Sequence, residues 1–262
     1  MNNKRLIDNP TTSSRVFYPR KTPIPSNLNL NFKVLKFEIT QDITIGGLLY
    51  LNNPNTPTIL LFHGNGEVAL DYQYFAPLFF ECDINLAVVD FRGYGFSSGE
   101  PYYTSLISDA MPIYLGFEDW VNDNGLRKSL FVQGRSLGSV CAAEIGSHNP
   151  KGLHGVIFES GFASIYDMIT RLFQISSPDL TPLSLKGYSN DTRVRKFSKP
   201  TLIIHGTQDR IIPMSESELL YENLPKNIEK ELVIIKGAGH NDIFSYTNEY
   251  FSPLTKFIQK FK

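Results

Sequence analysis

Phe131-Val132-Gln133-Gly134-Arg135-Ser136-Leu137-Gly138-Ser139 decides the reading of this chain. An apolar run stops at a Gly-x-Ser-x-Gly and restarts as Val140-Cys141-Ala142-Ala143-Glu144-Ile145, so a strand is expected to turn sharply into a helix at a serine. Such a turn strains the serine backbone, and glycines on both sides let strand and helix pass closely. Ser136 would then stand at the sheet edge above a helix N-terminus, where the Leu137 N–H and the helix dipole suit an oxyanion. The bare five-residue pattern arises by chance in roughly one chain of this length in ten. Its strand-then-helix context carries the weight.

Working outward, the segments before the serine alternate in the same way. Val34–Ile39 and Ile43–Leu51 read as an antiparallel opening pair, and Thr58–Phe62 as a strand covered on both faces. The last of these ends in His63-Gly64-Asn65-Gly66-Glu67, whose glycines let the backbone curl so that the Asn65 N–H points where the Leu137 N–H does. His63 reads as a structural histidine. Leu70–Cys82 is an expected helix, Ile84–Asp90 a strand, and Tyr103–Val121 a helix interrupted or kinked at Pro112. The loop Phe91-Arg92-Gly93-Tyr94-Gly95-Phe96-Ser97-Ser98-Gly99 lacks the spacing of a phosphate cradle, so Asp90 and Arg92 are expected to brace a loop near the site.

After the serine, Leu153–Glu159, Thr201–Gly206 and Glu231–Lys236 are further strands, with Met214–Glu222 and Tyr246–Phe261 as helices. Repeated helix-then-strand passages make a parallel, doubly wound sheet. Residues 160–198 break the alternation. An excursion that long is expected to form a small cap, and Ile165, Met168, Ile169, Leu172 and Phe173 fall at helical spacing within it. Met168, Leu172 and Phe173 are the candidate substrate-binding residues. Residues 1–31, rich in Pro, Asn, Thr and Ser, are expected to form an extended arm before a single domain at 32–262, with Val16-Phe17-Tyr18 anchoring it.

In open parallel sheets ligands gather outside the carboxyl ends of the strands, and here those ends carry Asn65, Ser136, Asp209 and His240 in turn. A serine hydroxyl needs a base near pH 7, which histidine supplies, and a carboxylate that fixes the imidazole tautomer. Asp209 is the expected acid, Glu159 its rival, and Asp242 a distant third. His148, His154 and His205 read as structural.

Lys+Arg 25 against Asp+Glu 26, a formal charge of -1 and no long charge run point away from nucleic acid and from membrane surfaces. Arg193, Arg195, Lys196 and Lys199 read as a solvated lead-in to the next strand. Only Cys82 and Cys141 occur, too few for a disulfide framework, and no metal-ligand pattern accompanies them. The first eight residues lack the apolar region of a signal peptide, and no run approaches a membrane span, so a cytoplasmic location is the expectation.

The set His63-Gly64-Asn65-Gly66, Asp90 to Ser97, Gly134 to Gly138, His205-Gly206-Thr207-Gln208-Asp209 and Gly237-Ala238-Gly239-His240 resembles the alpha/beta-hydrolase superfamily. The resemblance runs from about residue 33 to the last residue. It leans toward the branch of small esterases, acyl-protein thioesterases and prolyl-oligopeptidase-like proteins. It implies an α/β fold with a mostly parallel eight-stranded sheet flanked by helices, a small cap after the sixth strand and no cofactor. The expected activity is a serine hydrolase cleaving small-molecule carboxylic esters or thioesters through an acyl-enzyme, with Ser136, Asp209 and His240 as triad and Asn65 and Leu137 as oxyanion donors. A serine peptidase of the same fold is the alternative, and a non-catalytic binding protein on this scaffold a remoter one.

Overall fold

The computed structural model describes residues 7–127 and 129–262. Eight strands, β1 (Phe32–Thr40), β2 (Ile43–Tyr50), β3 (Thr58–Phe62), β4 (Asn85–Val89), β5 (Leu130–Arg135), β6 (Leu153–Glu159), β7 (Thr201–Gly206) and β8 (Lys230–Ile235), form one sheet in the order β1-β2-β4-β3-β5-β6-β7-β8. The β1–β2 and β2–β4 pairings are antiparallel, and every pairing from β4 across to β8 is parallel. This is the alpha/beta-hydrolase fold expected from the motifs.

The central strands are buried on both faces, which explains their unbroken apolar runs. Leu60, Phe62, Val132, Phe158 and Ile203 face one core, and Ile59, Leu61, Phe131, Ile157 and Leu202 face the other. Helices α1 (Pro10–Val16), α2 (Tyr103–Asp123), α3 (Ser139–His148) and α4 (Met214–Asn223) contribute to the first core, and α5 (Thr247–Phe261) to the second. Helix α2 runs through Pro112 instead of stopping there. A mid-helix proline costs about 3 kcal/mol. Leu106, Ile113, Tyr114, Phe117 and Val121 on its buried face each return about 1.5–3 kcal/mol, so packing wins.

The segment before β1 is not extended throughout. Pro10 sits at the first helical position and the Asn9 side chain accepts from Thr12 N–H, which caps and starts α1. Ile7, Val16 and Phe17 are buried against the body, whereas Tyr18, the third residue of the stretch expected to anchor the segment, is exposed.

Residues 160–200, between β6 and β7, are built from short turns at Ile165–Asp167, Met168–Leu172, Pro182–Leu185 and Asn190–Val194. The second of these is widened: Phe173 N–H reaches back five residues to the Met168 carbonyl. Two polar side chains tie the segment down. Glu216 accepts from the Ala163 and Ser164 N–H groups, and Asn190 donates to Ser139 Oγ and the Phe162 carbonyl. Arg193, which composition places in a solvated basic patch, is instead buried in an ion pair with Glu144 at 2.6 Å. Among the described residues no helix is long and apolar enough to cross a membrane.

Candidate active site

Ser136 follows β5 directly, with φ at +50°, a left-handed conformation that side-chain-bearing residues rarely adopt. The flanking glycines make that turn possible. A Cβ on Gly138 would lie 2.0 Å from the Phe62 carbonyl oxygen, and one on Gly134 would lie 2.6 Å from the Gly138 carbonyl. No larger residue fits at either place, so the chain can carry the serine from strand to helix only with glycine on both sides.

The loops after β7 and β8 are fastened to each other before they reach the serine. Gln208 N–H donates to the Ala238 carbonyl at 2.8 Å, and Gly237 N–H donates to Thr207 Oγ1 at 2.9 Å. Gly206 is required by the same approach, since a Cβ there would lie 2.2 Å from the Ala238 oxygen. Asp242 braces the second loop by accepting from Gly239 N–H at 2.6 Å. Asp209 and His240 are thereby held face to face.

His240 Nδ1 lies 2.7 Å from Asp209 Oδ2, and His240 Nε2 lies 3.0 Å from Ser136 Oγ. An ionised carboxylate can only accept, so the proton sits on Nδ1 and Nε2 is left to accept from the serine hydroxyl. The other Asp209 oxygen accepts from Ile211 N–H at 2.9 Å and Ile212 N–H at 2.8 Å. Burial by itself would raise the Asp209 pKa. Hydrogen bonds from His205 and His240, the adjacent imidazole and the Ile212 N–H outweigh burial and hold the carboxyl well below the usual carboxylate range. His205 was legible only as a structural histidine. It is buried, receives the Ser217 hydroxyl, donates to the Ile212 carbonyl at 2.9 Å and stands 3.3 Å from Asp209.

Glu159, the rival acid, points elsewhere. It is fully buried and accepts from Arg135 at 2.6 Å and from Gln133 and Tyr250 at 2.8 Å each. His63 is also away from the reacting atoms: its Nδ1 donates to the Gly64 carbonyl at 2.7 Å, and its ring packs on Phe91 and Tyr94. Asp90 accepts from Ala69 N–H, and Arg92 makes a two-pronged pair with Asp109, so each braces a loop without touching the other.

A cleft of about 280 Å³ opens over Ser136 and His240. Asn65 and Leu137 line it on the strand-end side, and Met168, Leu172 and Phe173 on the other. The apolar stripe of residues 165–173 therefore divides, with Ile165 and Ile169 in the core and the other three at the cleft. Phe162, Ile211, Ile212, Tyr18 and Asn241 line it as well and were not singled out from the sequence. The apolar pair directly after Asp209 was the available signal for Ile211 and Ile212. Tyr18 comes from the segment before β1, which crosses the Asn65 loop: Asn65 Nδ2 donates to the Val16 carbonyl at 2.5 Å, and Asn65 Oδ1 accepts from Tyr18 N–H at 3.1 Å and Tyr94 OH at 2.6 Å.

A family model described as serine aminopeptidase, S33, matches residues 53–187 and 182–245. The chain is 27% identical over 212 residues to alpha/beta hydrolase domain-containing protein 17B of Homo sapiens, covering 79% of this chain and 68% of the human one. It is 24% identical over 243 residues to protein bem46 of Schizosaccharomyces pombe, covering 90% and 79%. An esterase of Pyrococcus furiosus has a similar structure, with a TM-score of 0.71 at 19% identity, covering 93% of this chain and 98% of that one. So does a 2-hydroxy-6-oxo-6-phenylhexa-2,4-dienoate hydrolase of Rhodococcus, with a TM-score of 0.66 at 16% identity over 88% and 100%. At those identities the structural likeness speaks for the fold.

Proposed function

The chain belongs to the serine aminopeptidase S33 family of alpha/beta hydrolases, and from that premise we propose that it is a serine hydrolase cleaving small carboxylic esters or thioesters through an acyl-enzyme. The observation that carries the reading is the continuous contact from Ser136 Oγ through His240 to Asp209, with the serine and histidine opening onto the cleft. His240 takes the hydroxyl proton as Ser136 attacks the acyl carbon, and Asp209 stabilises the imidazolium. The oxygen that becomes negative is received by the Asn65 and Leu137 N–H groups. His240 then gives its proton to the leaving alcohol or thiol. Water, activated by the same imidazole, releases the acid and restores Ser136.

The family's description favours a second reading, an aminopeptidase. An enzyme that grips a free N-terminal amine needs a carboxylate facing its cleft. Among the described lining residues Glu67 is the only acid, and Arg135 holds it at 2.8 Å. The carbon that Phe162, Met168, Leu172, Phe173, Ile211 and Ile212 bring to the cleft supports an ester or thioester acyl group over a charged peptide end.

The test is fluorophosphonate labelling located by peptide mapping, followed by matched ester, thioester and aminoacyl-amide substrates. Labelling at Ser136 with turnover of esters or thioesters is expected. Faster cleavage of aminoacyl amides would select the aminopeptidase, and absence of both labelling and turnover would remove the hydrolase reading.

A further inference from the structure

Arg135 fills the first variable position of the Gly-x-Ser-x-Gly, where the motif itself sets no residue. Its guanidinium is buried and reaches three separate segments. Nε donates to Glu67 Oε1 at 2.8 Å, Nη1 to Glu159 Oε1 at 2.6 Å, and Nη2 to the His240 carbonyl at 3.1 Å and to Asn241 Oδ1 at 3.3 Å. Glu67 extends the reach, because its other oxygen accepts from Gly64 N–H and Tyr72 OH at 2.8 Å each. One side chain beside the serine thus grips the loop that carries Asn65, the end of β6 and the loop that carries His240. Burying a cation between two carboxylates gives no obvious gain in stability over an apolar core. A planar fork of fixed donors does give fixed separations between the groups it joins.

We propose that Arg135 is a positioning residue that holds the Asn65 loop and the His240 loop in register about Ser136. This rests on the hydrolase reading of the site. Alignment of the oxyanion donor and the base is then set before substrate arrives. Lysine keeps the charge but not the fork, so it cannot serve all three segments at once.

The experiment compares Arg135→Lys and Glu67→Gln with wild type in amide hydrogen exchange and in ester kinetics. In Arg135→Lys, exchange at 64–67 and at 239–242 should quicken by about tenfold or more while the amides of β3 and β5 keep wild-type protection. Its kcat should fall by about 10²-fold with KM within about threefold, since misaligned groups affect the transition state more than binding. Glu67→Gln should loosen 64–67 alone. Unchanged exchange at both loops, equal loosening throughout the sheet, or an unchanged kcat would each overturn the proposal. Should Arg135→Lys not fold, Glu67→Gln decides: loosening confined to 64–67 supports the link, and an unmoved loop breaks it. If wild type neither labels at Ser136 nor turns over esters, the hydrolase reading fails, and the exchange pattern alone decides whether Arg135 holds the two loops.

Discussion

The two walls of the cleft are built on different principles. On one side Ser136 and His240 face the cleft, backed by Asp209 and Arg135; all four stand at or just beyond the ends of β5, β7 and β8, buried, with each charged group engaged by a partner. On the other side Met168, Leu172, Phe173 and Tyr18 come from short turns and from the segment before β1, and they present carbon to the cleft. Proton transfer depends on tenths of an ångström, which a hydrogen-bonded sheet supplies. Selecting an acyl group needs only volume and apolar surface, which short segments tied by Glu216 and Asn190 can supply and can vary. Substitutions on the first wall should therefore act on rate, and those on the second on substrate choice.

The largest effects belong to the strand-end wall. Ser136→Ala should abolish fluorophosphonate labelling and lower kcat by on the order of 10⁴ or more. Asp209→Asn should lose on the order of 10⁴ in kcat, because the amide would support the wrong imidazole tautomer. Glu159→Gln is the contrast. Buried Arg135 would lose one of its two counter-charges, so the change should appear as lost stability on the order of 3 kcal/mol in denaturant unfolding, with kcat reduced by less than about tenfold. A greater loss of kcat in Glu159→Gln than in Asp209→Asn would move the acid to β6.

A pH profile examines the same wall. Because Asp209 is held well below the usual carboxylate range, it stays ionised wherever the fold is intact in mild acid. If one neutral base takes the serine proton while Asp209 is already ionised, kcat/KM should fall toward acid with a slope of one, about tenfold per pH unit. A slope of two, or a flat profile, would mean that a second group titrates or that His240 is not the base.

The same contrast separates what could be read in the sequence from what could not. β3, β6 and β7 run over the expected residues because an apolar stretch bounded by turn residues has one reading in a sheet covered on both faces. That Ser136, Asp209 and His240 would come together was legible because each sits in a glycine-marked turn after a strand of the parallel sheet. Arg135 was not: its partners lie at positions 67, 159 and 240–241, and only the closed sheet brings those together. The helix at Pro10–Val16 escaped because its seven residues, four of them Thr or Ser, show little periodicity, and its start depends on a cap and a proline. The stripe at 165–173 was visible, but its division between core and cleft was not, since spacing shows which residues share a face and not what covers it.

Asn65 lies where the walls meet. Its backbone serves the strand-end side, while its side chain is held by Val16 and Tyr18 of the segment before β1. Asn65→Ala keeps the proposed oxyanion donor and removes those ties. It should lower kcat by about 10- to 100-fold, short of the loss expected for deleting a donor outright. Tyr18→Ala keeps the backbone N–H that meets Asn65 and should act chiefly on KM. Steady-state kinetics on one ester gives both answers, and an unchanged kcat in Asn65→Ala would show that the crossing segment does not steady the loop.

The smallest effects belong to the facing wall. Leu172 and Phe173 line a cleft of about 280 Å³, at the lower end of what small-molecule clefts offer, so wild type should prefer short to medium acyl chains. Alanine at either position removes carbon from that wall. Each further methylene that finds room is worth about 0.8 kcal/mol, or about fourfold in kcat/KM. The optimum along a series of p-nitrophenyl esters should move to longer chains in both variants, while kcat on the shortest ester changes little because the strand-end groups have not moved. Ile169→Ala offers the control. That residue shares the stripe but faces the core, so its substitution should cost about 2–5 kcal/mol of stability and leave the chain-length optimum in place. A shift in Ile169→Ala equal to that in Leu172→Ala would mean that the whole turn, and not the carbon facing the cleft, sets the acyl preference; an unshifted optimum in both cleft variants would place the acyl pocket against Ile211 and Ile212 instead.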